Sequence, residues 1–548
     1  MPRRSRPDDD ENDDVTAHRL ARPFAVRAPR PRRRVDGAAP SLLAVCAIVS
    51  LLVLLPVVVT AIQAFQGGVS AVRDVLRASS SIGLLKNTLL VTAISVPICG
   101  LFGVAGAWFV ERTRLPARRL WAVLLVAPLT VPPFVTSYAW ANLGNPFQGL
   151  YGAAGIIGFT YFPIVFLLVA VALRGLDPAL EETAQSLGLG TTRIFFRVIL
   201  PQLRPALLGG LLLVALDTLI EFDAFVALKF KTFSADIYAQ YQLGFSASGA
   251  AALSFFSILI CVLLLFGEAW LRGSRNYTRV SQGARRATIR YPLGPWTLPA
   301  LGGLGAVVAV GVGIPVVTLI KWFATSSHAG LKSASANLQY LLPASLTSIG
   351  LGVGAALLAV VCALPVAVLA VRHRGPGVTT LERSVYLAFA LPDLVAGIAL
   401  AYAASHYASF LYGSFFLLVF AEAILFLPFA LVALRASLGQ IERSLEDSAR
   451  SLGAGPVAAL WRVTAPIARP GFLAAAVLVF AFTLGDLSTA QVLLPLNLYT
   501  LGTEFQANSS SVAFAAAAPF AAVLIALAMI AAYILMSRFG EVRALAED

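Results

Sequence analysis

ETAQSLGLGTTRIFFRVILPQLRP, residues 182–205, is answered 265 residues later by DSARSLGAGPVAALWRVTAPIARP, residues 447–470. Without a gap the copies share Ala184 with Ala449, Ser186-Leu187-Gly188 with Ser451-Leu452-Gly453, and Gly190 with Gly455. Arg197-Val198 matches Arg462-Val463, Pro201 matches Pro466, and Arg204-Pro205 matches Arg469-Pro470. A polar stretch repeated this closely inside a very apolar chain reads as one device carried by each of two copies of a unit.

The chain around it is built for a membrane. Of 548 residues 58% are hydrophobic and 13% charged, with a mean hydropathy of +0.81, which excludes a soluble globular protein. Runs of ~20 apolar residues, enough to cross ~30 Å of hydrocarbon, recur twelve times. The first six are expected at 41–65, 86–110, 120–140, 157–174, 205–225 and 250–271. The second six are expected at 297–322, 345–371, 384–405, 412–434, 470–488 and 513–537. The fold expected is an all-α integral membrane protein of about twelve transmembrane helices, arranged as two homologous six-helix units at 41–272 and 297–540. With the N-terminus in the cytoplasm, 34 of the 41 Lys and Arg fall on that side and 7 outside, the asymmetry that sets topology. Both termini are then cytoplasmic, and the net charge of +13 reads as topology and attraction to anionic membrane lipid, with no nucleic-acid partner.

Residues 1–40 combine the acidic run Asp8–Asp14 with a basic cluster, Arg27–Arg34, and several prolines, a composition expected to stay a disordered cytoplasmic tail. The long apolar run that follows, with no convincing cleavage site, argues against a signal peptide. A basic cytoplasmic linker, 273–296, joins the units. Cys46, Cys99, Cys261 and Cys362 lie far apart within expected spans, where they read as small packing residues.

Local physics explains the repeated segment. In the first copy Asp177 is placed to cap a helix with Pro178 at its first position, Glu181 and Glu182 favour the positive end of its dipole, and Gly188 ends it. A second short helix from Thr191 or Thr192 is expected to stop before Pro201. In the second copy Ser444 is the expected cap, Glu446 and Asp447 supply the charge, and Gly453 terminates. The small residues Ala184, Ser186, Ala449 and Ser451 suit the close approach of another protein.

The spacing Glu-Ala-Ala, three residues, Gly, nine residues, Ile, one residue, Leu-Pro resembles the cytoplasmic loop of permease subunits of bacterial binding-protein-dependent ABC importers. The matching residues are Glu182, Thr183, Ala184, Gly188, Val198, Leu200 and Pro201, then Asp447, Ser448, Ala449, Gly453, Val463, Ala465 and Pro466, the second copy being the looser match. The resemblance implies that each loop docks on one of two copies of an ABC ATPase subunit, which binds ATP and Mg, and that a soluble or lipid-anchored binding protein delivers cargo across the bacterial inner membrane. No GxxxxGK[ST] phosphate loop occurs in the chain, which therefore needs no cofactor of its own and is read as no enzyme. The fused layout resembles ferric-iron permeases. Thiamine, polyamine and aminoethylphosphonate are the alternative cargoes, and an ion-coupled secondary transporter is the alternative mechanism.

Ionisable groups inside the membrane are costly and read as functional by default. Asp217, Glu221 and Asp223 lie on the fifth expected span or its outer end, and the 265-residue offset sets Asp486 opposite Glu221. These carboxylates, with Tyr238 and Tyr241, are candidates for the cargo path or a gate, offering hard oxygen donors to a metal cargo; the competing reading is neutralisation by Lys229 and Lys231. Asp393 reads as a helix-break cap after Pro392, and Glu422 as a residue that snorkels or pairs. Gly100, Gly103, Gly106, Gly350, Gly352 and Gly354 are expected to permit close helix contact. His328 and His406 are too scattered to suggest a metal site, and none is assigned.

Overall fold

A computed structural model describes residues 39–66, 79–144, 147–176, 178–242, 247–272, 290–326, 339–387, 391–439, 441 and 443–544. The expected tail, most of the linker, Asp177 and His328 lie outside the described residues. Helix accounts for nearly everything else, and β-structure among the described residues is limited to an isolated bridge between Thr113 and Tyr291.

The first unit runs α1 (Pro40–Gln66), α2 (Ser79–Arg112), α3 (Arg118–Val126), α4 (Pro133–Ala141), α5 (Gly149–Gly175), α6 (Pro178–Ser186), α7 (Thr191–Ile220), α8 (Asp223–Ala227), α9 (Phe233–Gln242) and α10 (Ala247–Arg272). The second runs α11 (Gly294–Ala324), α12 (Leu341–Arg372), α13 (Pro376–Tyr386), α14 (Asp393–Tyr407), α15 (Phe415–Leu425), α16 (Leu427–Gly439), α17 (Arg443–Ser451), α18 (Val457–Ile467), α19 (Arg469–Gly485), α20 (Ser488–Leu493), α21 (Leu501–Ser510) and α22 (Phe514–Ala544). Among the described residues seven helices are long and apolar enough to cross a membrane, and ten if each sharply bent pair is one span. The other two expected spans are α10, apolar over Ala250–Leu264, and the α13–α14 pair.

Several expected spans are broken rather than straight, each for a local reason. Between α3 and α4 the axis turns by 83° at Pro132-Pro133. Pro132 takes an extended conformation that a helix interior cannot hold, and Pro133 then opens α4, where its missing N–H costs nothing. The second unit repeats the break at Pro392, but Asp393 stands where the first unit has Pro133. The α15–α16 pair bends by 51° and α18–α19 by 77°.

One helix boundary differs from expectation. The short helix from Thr191 does not stop before Pro201; it runs through a widened π turn, Phe195–Ile199, into α7. A π turn lies at the same register in the second unit, Leu460–Thr464, ahead of Pro466, and the break comes later, at Ala468. A wider turn relieves the clash between a proline ring and the carbonyl one turn back, so the helix passes through. Ser444 likewise sits inside α17, which starts at Arg443.

The two units interlock by exchanging their first helices. α1 packs on α12 and α14 as well as on α10, while α11 packs on α3, α4 and α22. A shared core follows, in which Phe134 of α4 meets Phe505 of α21 at 5.5 Å and Trp322 stacks on Phe514 at 4.9 Å. Within each unit the expected glycines do allow close contact. A Cβ on Gly103 would lie 2.6 Å from the Val165 Cβ, and one on Gly352 would lie 2.7 Å from the Phe480 ring.

Gly103→Val therefore overpacks the α2–α5 contact and is expected to cost at least ~1–3 kcal/mol, read as a lower thermal midpoint of the purified protein. Gly83→Ala, with open space around the added methyl, leaves the midpoint unchanged or slightly higher. An unchanged midpoint for Gly103→Val would refute the close packing.

Candidate functional site

The repeated loops have the same backbone. α6 ends in a turn where the Gly188 N–H donates to the Gln185 carbonyl at 2.9 Å and the Leu189 N–H to the Ala184 carbonyl at 3.1 Å. In the second copy Gly453 donates to Arg450 at 2.9 Å and Ala454 to Ala449 at 3.1 Å. Gly188 and Gly453 have φ of +77° and +90°, the left-handed conformation that closes this motif and that other residues resist. The turn thrusts one apolar side chain outward in each copy: Leu187 is 76% exposed and Leu452 is 89% exposed. Neither leucine stood out in the sequence, although both belong to the repeated Ser-Leu-Gly. Glu182, Thr183, Asp447 and Ser448 are exposed beside them, as are Pro201 and Pro466 farther along. Ala184 is not available to a partner as expected; it is buried in the core of its own unit.

An ion pair holds each loop to the bundle, fully buried in the first copy and partly buried in the second. Arg112, at the end of α2, sets Nη1 2.8 Å from Glu181 Oε1 and donates from Nη2 to the Leu173 carbonyl at 2.9 Å. Arg372, at the end of α12, sets Nη2 2.6 Å from Glu446 Oε1 and donates to the Ile441 carbonyl. Glu181 and Glu446 are thus struts rather than surface charges serving a helix dipole. The sequence carries a signal for them, since both arginines open an Arg-x-Arg-x-Pro run, at Arg112–Pro116 and Arg372–Pro376. The third group differs between the copies: the Tyr291 hydroxyl donates to Glu181 at 3.2 Å, whereas Thr464, on α18 itself, donates to Glu446 at 2.8 Å. Burial raises the Glu181 carboxyl above its ordinary value, against the pull of Arg112 and of the tyrosine. With desolvation opposing the attraction so closely, such a pair contributes position more than net stability.

The second site lies between the units. α7 ends at Ile220, and Glu221 Oε1 accepts the Ala224 N–H at 3.0 Å, capping α8. α19 ends at Gly485, and Asp486 Oδ1 accepts the Ser488 N–H at 2.9 Å, capping α20. The two capped helices meet where Ser488 Oγ donates to Asp223 Oδ2 at 2.9 Å, a contact between residues 265 apart. Counterparts that touch each other mark the pseudo-twofold axis. Around it is a cavity of about 90 Å³ whose lining includes Asp217, Glu221, Asp223, Asp393 and Asp486. Among the described residues Asp223 Oδ1 is buried there without a hydrogen-bond partner, Asp217 has the Tyr161 hydroxyl and Asp486 the Glu422 carboxyl as neighbours, and no Lys, Arg or His is among the lining residues.

Other expectations for this region fare differently. Tyr238 packs on Phe222 at 4.4 Å and does not line the cavity; the side chain of Tyr241 is outside the described residues. Tyr161 supplies the phenol instead, donating to Glu221 Oε2 at 2.9 Å. Among the described residues no ion pair joins Lys229 or Lys231 to these acids. Asp393 opens α14 without a side-chain capping bond, and its carboxylate faces the cavity. Glu422 is fully buried beside Asp486. Among the described residues no three His, Cys, Asp or Glu side chains converge as a metal-binding set. The cavity therefore offers carboxyl oxygens with no basic partner among its lining rather than a chelate.

Comparison with known proteins agrees with this architecture. Residues 100–274 and 355–541, one segment in each unit, match the family described as binding-protein-dependent transport system inner membrane component. The chain is 33% identical to the Fe(3+)-transport system permease protein FbpB 2 of Haemophilus influenzae, over 89% of this chain and 96% of that one. It is 25% identical to the ferric transport system permease protein FbpB of Actinobacillus pleuropneumoniae, over 80% and 69%. The molybdenum transport system permease protein ModB of Escherichia coli is 30% identical over 34% of this chain and 90% of its own length. With a duplicated segment matching in both units and a relative aligned nearly end to end, this multi-pass inner-membrane chain belongs to the binding-protein-dependent transport permeases.

Proposed function

We propose that this chain is the transmembrane permease of an ATP-driven importer for ferric iron, working by alternating access. The observation that carries the reading is the pair of loops with the same turn, each with an apolar residue at its tip and an ion-pair strut behind it. Six expected spans separate the loops, an even number, so both emerge on one side, which the distribution of Lys and Arg assigns to the cytoplasm together with both termini. Each tip, Leu187 or Leu452, enters a groove on one of two ATPase subunits, with Glu182, Thr183, Asp447 and Ser448 at the rim. Closure of the ATPases on ATP and Mg drives the tips together. The struts pass that movement to α2 and α12, the helices that pack on the core of each unit.

Cargo reaches the axis from a binding protein outside. Carboxyl oxygens without basic neighbours offer hard donors to a cation and nothing cationic to an oxyanion, and ferric iron is the cation named for the long relatives. The absence of a converged ligand set among the described residues suits a path that must release what it admits. Asp223 and Ser488 close the axis in the state described, so parting of α8 from α20 is the proposed gate movement.

The importer is tested in proteoliposomes containing the permease, its ATPase and its binding protein. Gly188→Leu or Gly453→Leu, each forced into a left-handed turn, is expected to lower iron uptake about tenfold or more while ATP hydrolysis continues; full coupled uptake in both variants would overturn the docking role. In the same vesicles an ionophore that collapses the membrane potential leaves ATP-dependent uptake intact, and its immediate loss would favour a gradient-coupled carrier. Asp223→Asn with Asp486→Asn is expected to cut iron flux about tenfold with ATPase stimulation retained, and unaltered flux would remove the axis from the cargo path. Arg112→Ala strands a buried Glu181 and is expected to destabilise by ~3–5 kcal/mol, more than Arg372→Ala at the less buried pair, as unfolding midpoints would reveal.

A further inference from the structure

A second crevice is remote from the axis. It lies between α2, α3 and α11, with a volume of about 610 Å³. Leu125, Ala300 and Leu304 form a buried floor, whereas Leu101 and Trp296 on its rim are 66% and 70% exposed. From Leu101 to Thr113 it follows α2 for twelve residues, roughly 18 Å at ~1.5 Å per residue, close to the depth of one leaflet of a ~30 Å core. Most of the lining is apolar, a surface better matched to hydrocarbon than to ordered water.

Arginines adjoin one end of it in the chain, although none is among the lining residues. The Tyr291 N–H donates to the Arg112 carbonyl at 2.8 Å and the Arg114 N–H to the Tyr291 carbonyl at 3.0 Å. Thr113 and Tyr291 line that end of the crevice, and their chain neighbours Arg114 and Arg290 are both exposed. On the orientation proposed above, the mouth sits at the cytoplasmic headgroup level, where basic pockets between helices select anionic heads.

We infer that this crevice is a binding site for an anionic phospholipid of the cytoplasmic leaflet, with an acyl chain along α2 and its phosphate at Arg114 and Arg290. The site adjoins the first loop. Tyr291 lines it and holds Glu181, and Thr191, the first residue of α7, lines it as well. A seated chain braces both. The second loop takes its hydroxyl from its own α18, so the lipid acts on one loop of the two.

The test is lipid retention by the purified full-length chain, measured by native mass spectrometry after exchange through mixed phosphatidylglycerol and phosphatidylcholine. Wild type is expected to keep phosphatidylglycerol over phosphatidylcholine by about tenfold. Gly303 lines the crevice and has open space around an added Cβ, so Gly303→Phe plugs it and loses the retained lipid. Gly302→Phe, equally unobstructed but outside the lining, keeps the lipid and controls for folding. Arg114→Gln with Arg290→Gln keeps a lipid but loses the headgroup preference. Equal retention of the two lipids by wild type, or undiminished retention by Gly303→Phe, overturns the site. Neither outcome depends on iron or ATP, so the importer reading stands or falls separately.

Discussion

Every backbone polar group within a membrane must find its partner inside the protein, and each break in a transmembrane helix exposes several such groups at once. This chain breaks helices at Pro132, Pro392, Ile220 and Gly485, all around one axis. Glu221 and Asp486 answer the exposed N–H groups of α8 and α20 with side-chain oxygens. Breaks tolerated only in the protein interior thus bring carboxylates to the interior with them. The acidity of the cavity and the discontinuity of its walls have one origin.

The same economy of roles appears at the loops. A carboxylate that would suit a helix dipole is instead turned inward onto an arginine, and the energy of burying that pair secures a position. The turn that follows needs glycine, and the geometry of the turn is what exposes a leucine at the surface. Glycine, leucine and glutamate form one mechanical part: the strut sets where the turn lies, and the turn sets where the apolar tip points.

Much of this was legible in the chain. Duplication, the twelve expected spans, the loop glycines and the Glu221–Asp486 correspondence all follow from local patterns or from one fixed offset. Tyr161 was not legible, because a tyrosine in an apolar helix looks the same whether it faces lipid or a carboxylate 60 residues away. Leu187 was invisible for the opposite reason: exposure, not identity, distinguishes it from dozens of leucines. The passage of α7 through Pro201 depends on a π turn that leaves no clear mark in residue type, and the exchange of α1 and α11 between units is a tertiary fact that periodicity does not encode.

The contact on the axis has an evolutionary meaning. In a homodimer, a residue on the twofold meets its own copy, so an aspartate there would face an aspartate and a serine a serine. Here Asp223 faces Ser488, a donor matched to an acceptor, which identical subunits cannot arrange at that point. Two units joined in one chain are released from self-complementarity. One half became free to specialise while the other compensated, and the place where symmetry is strictest became the place where its loss was most useful.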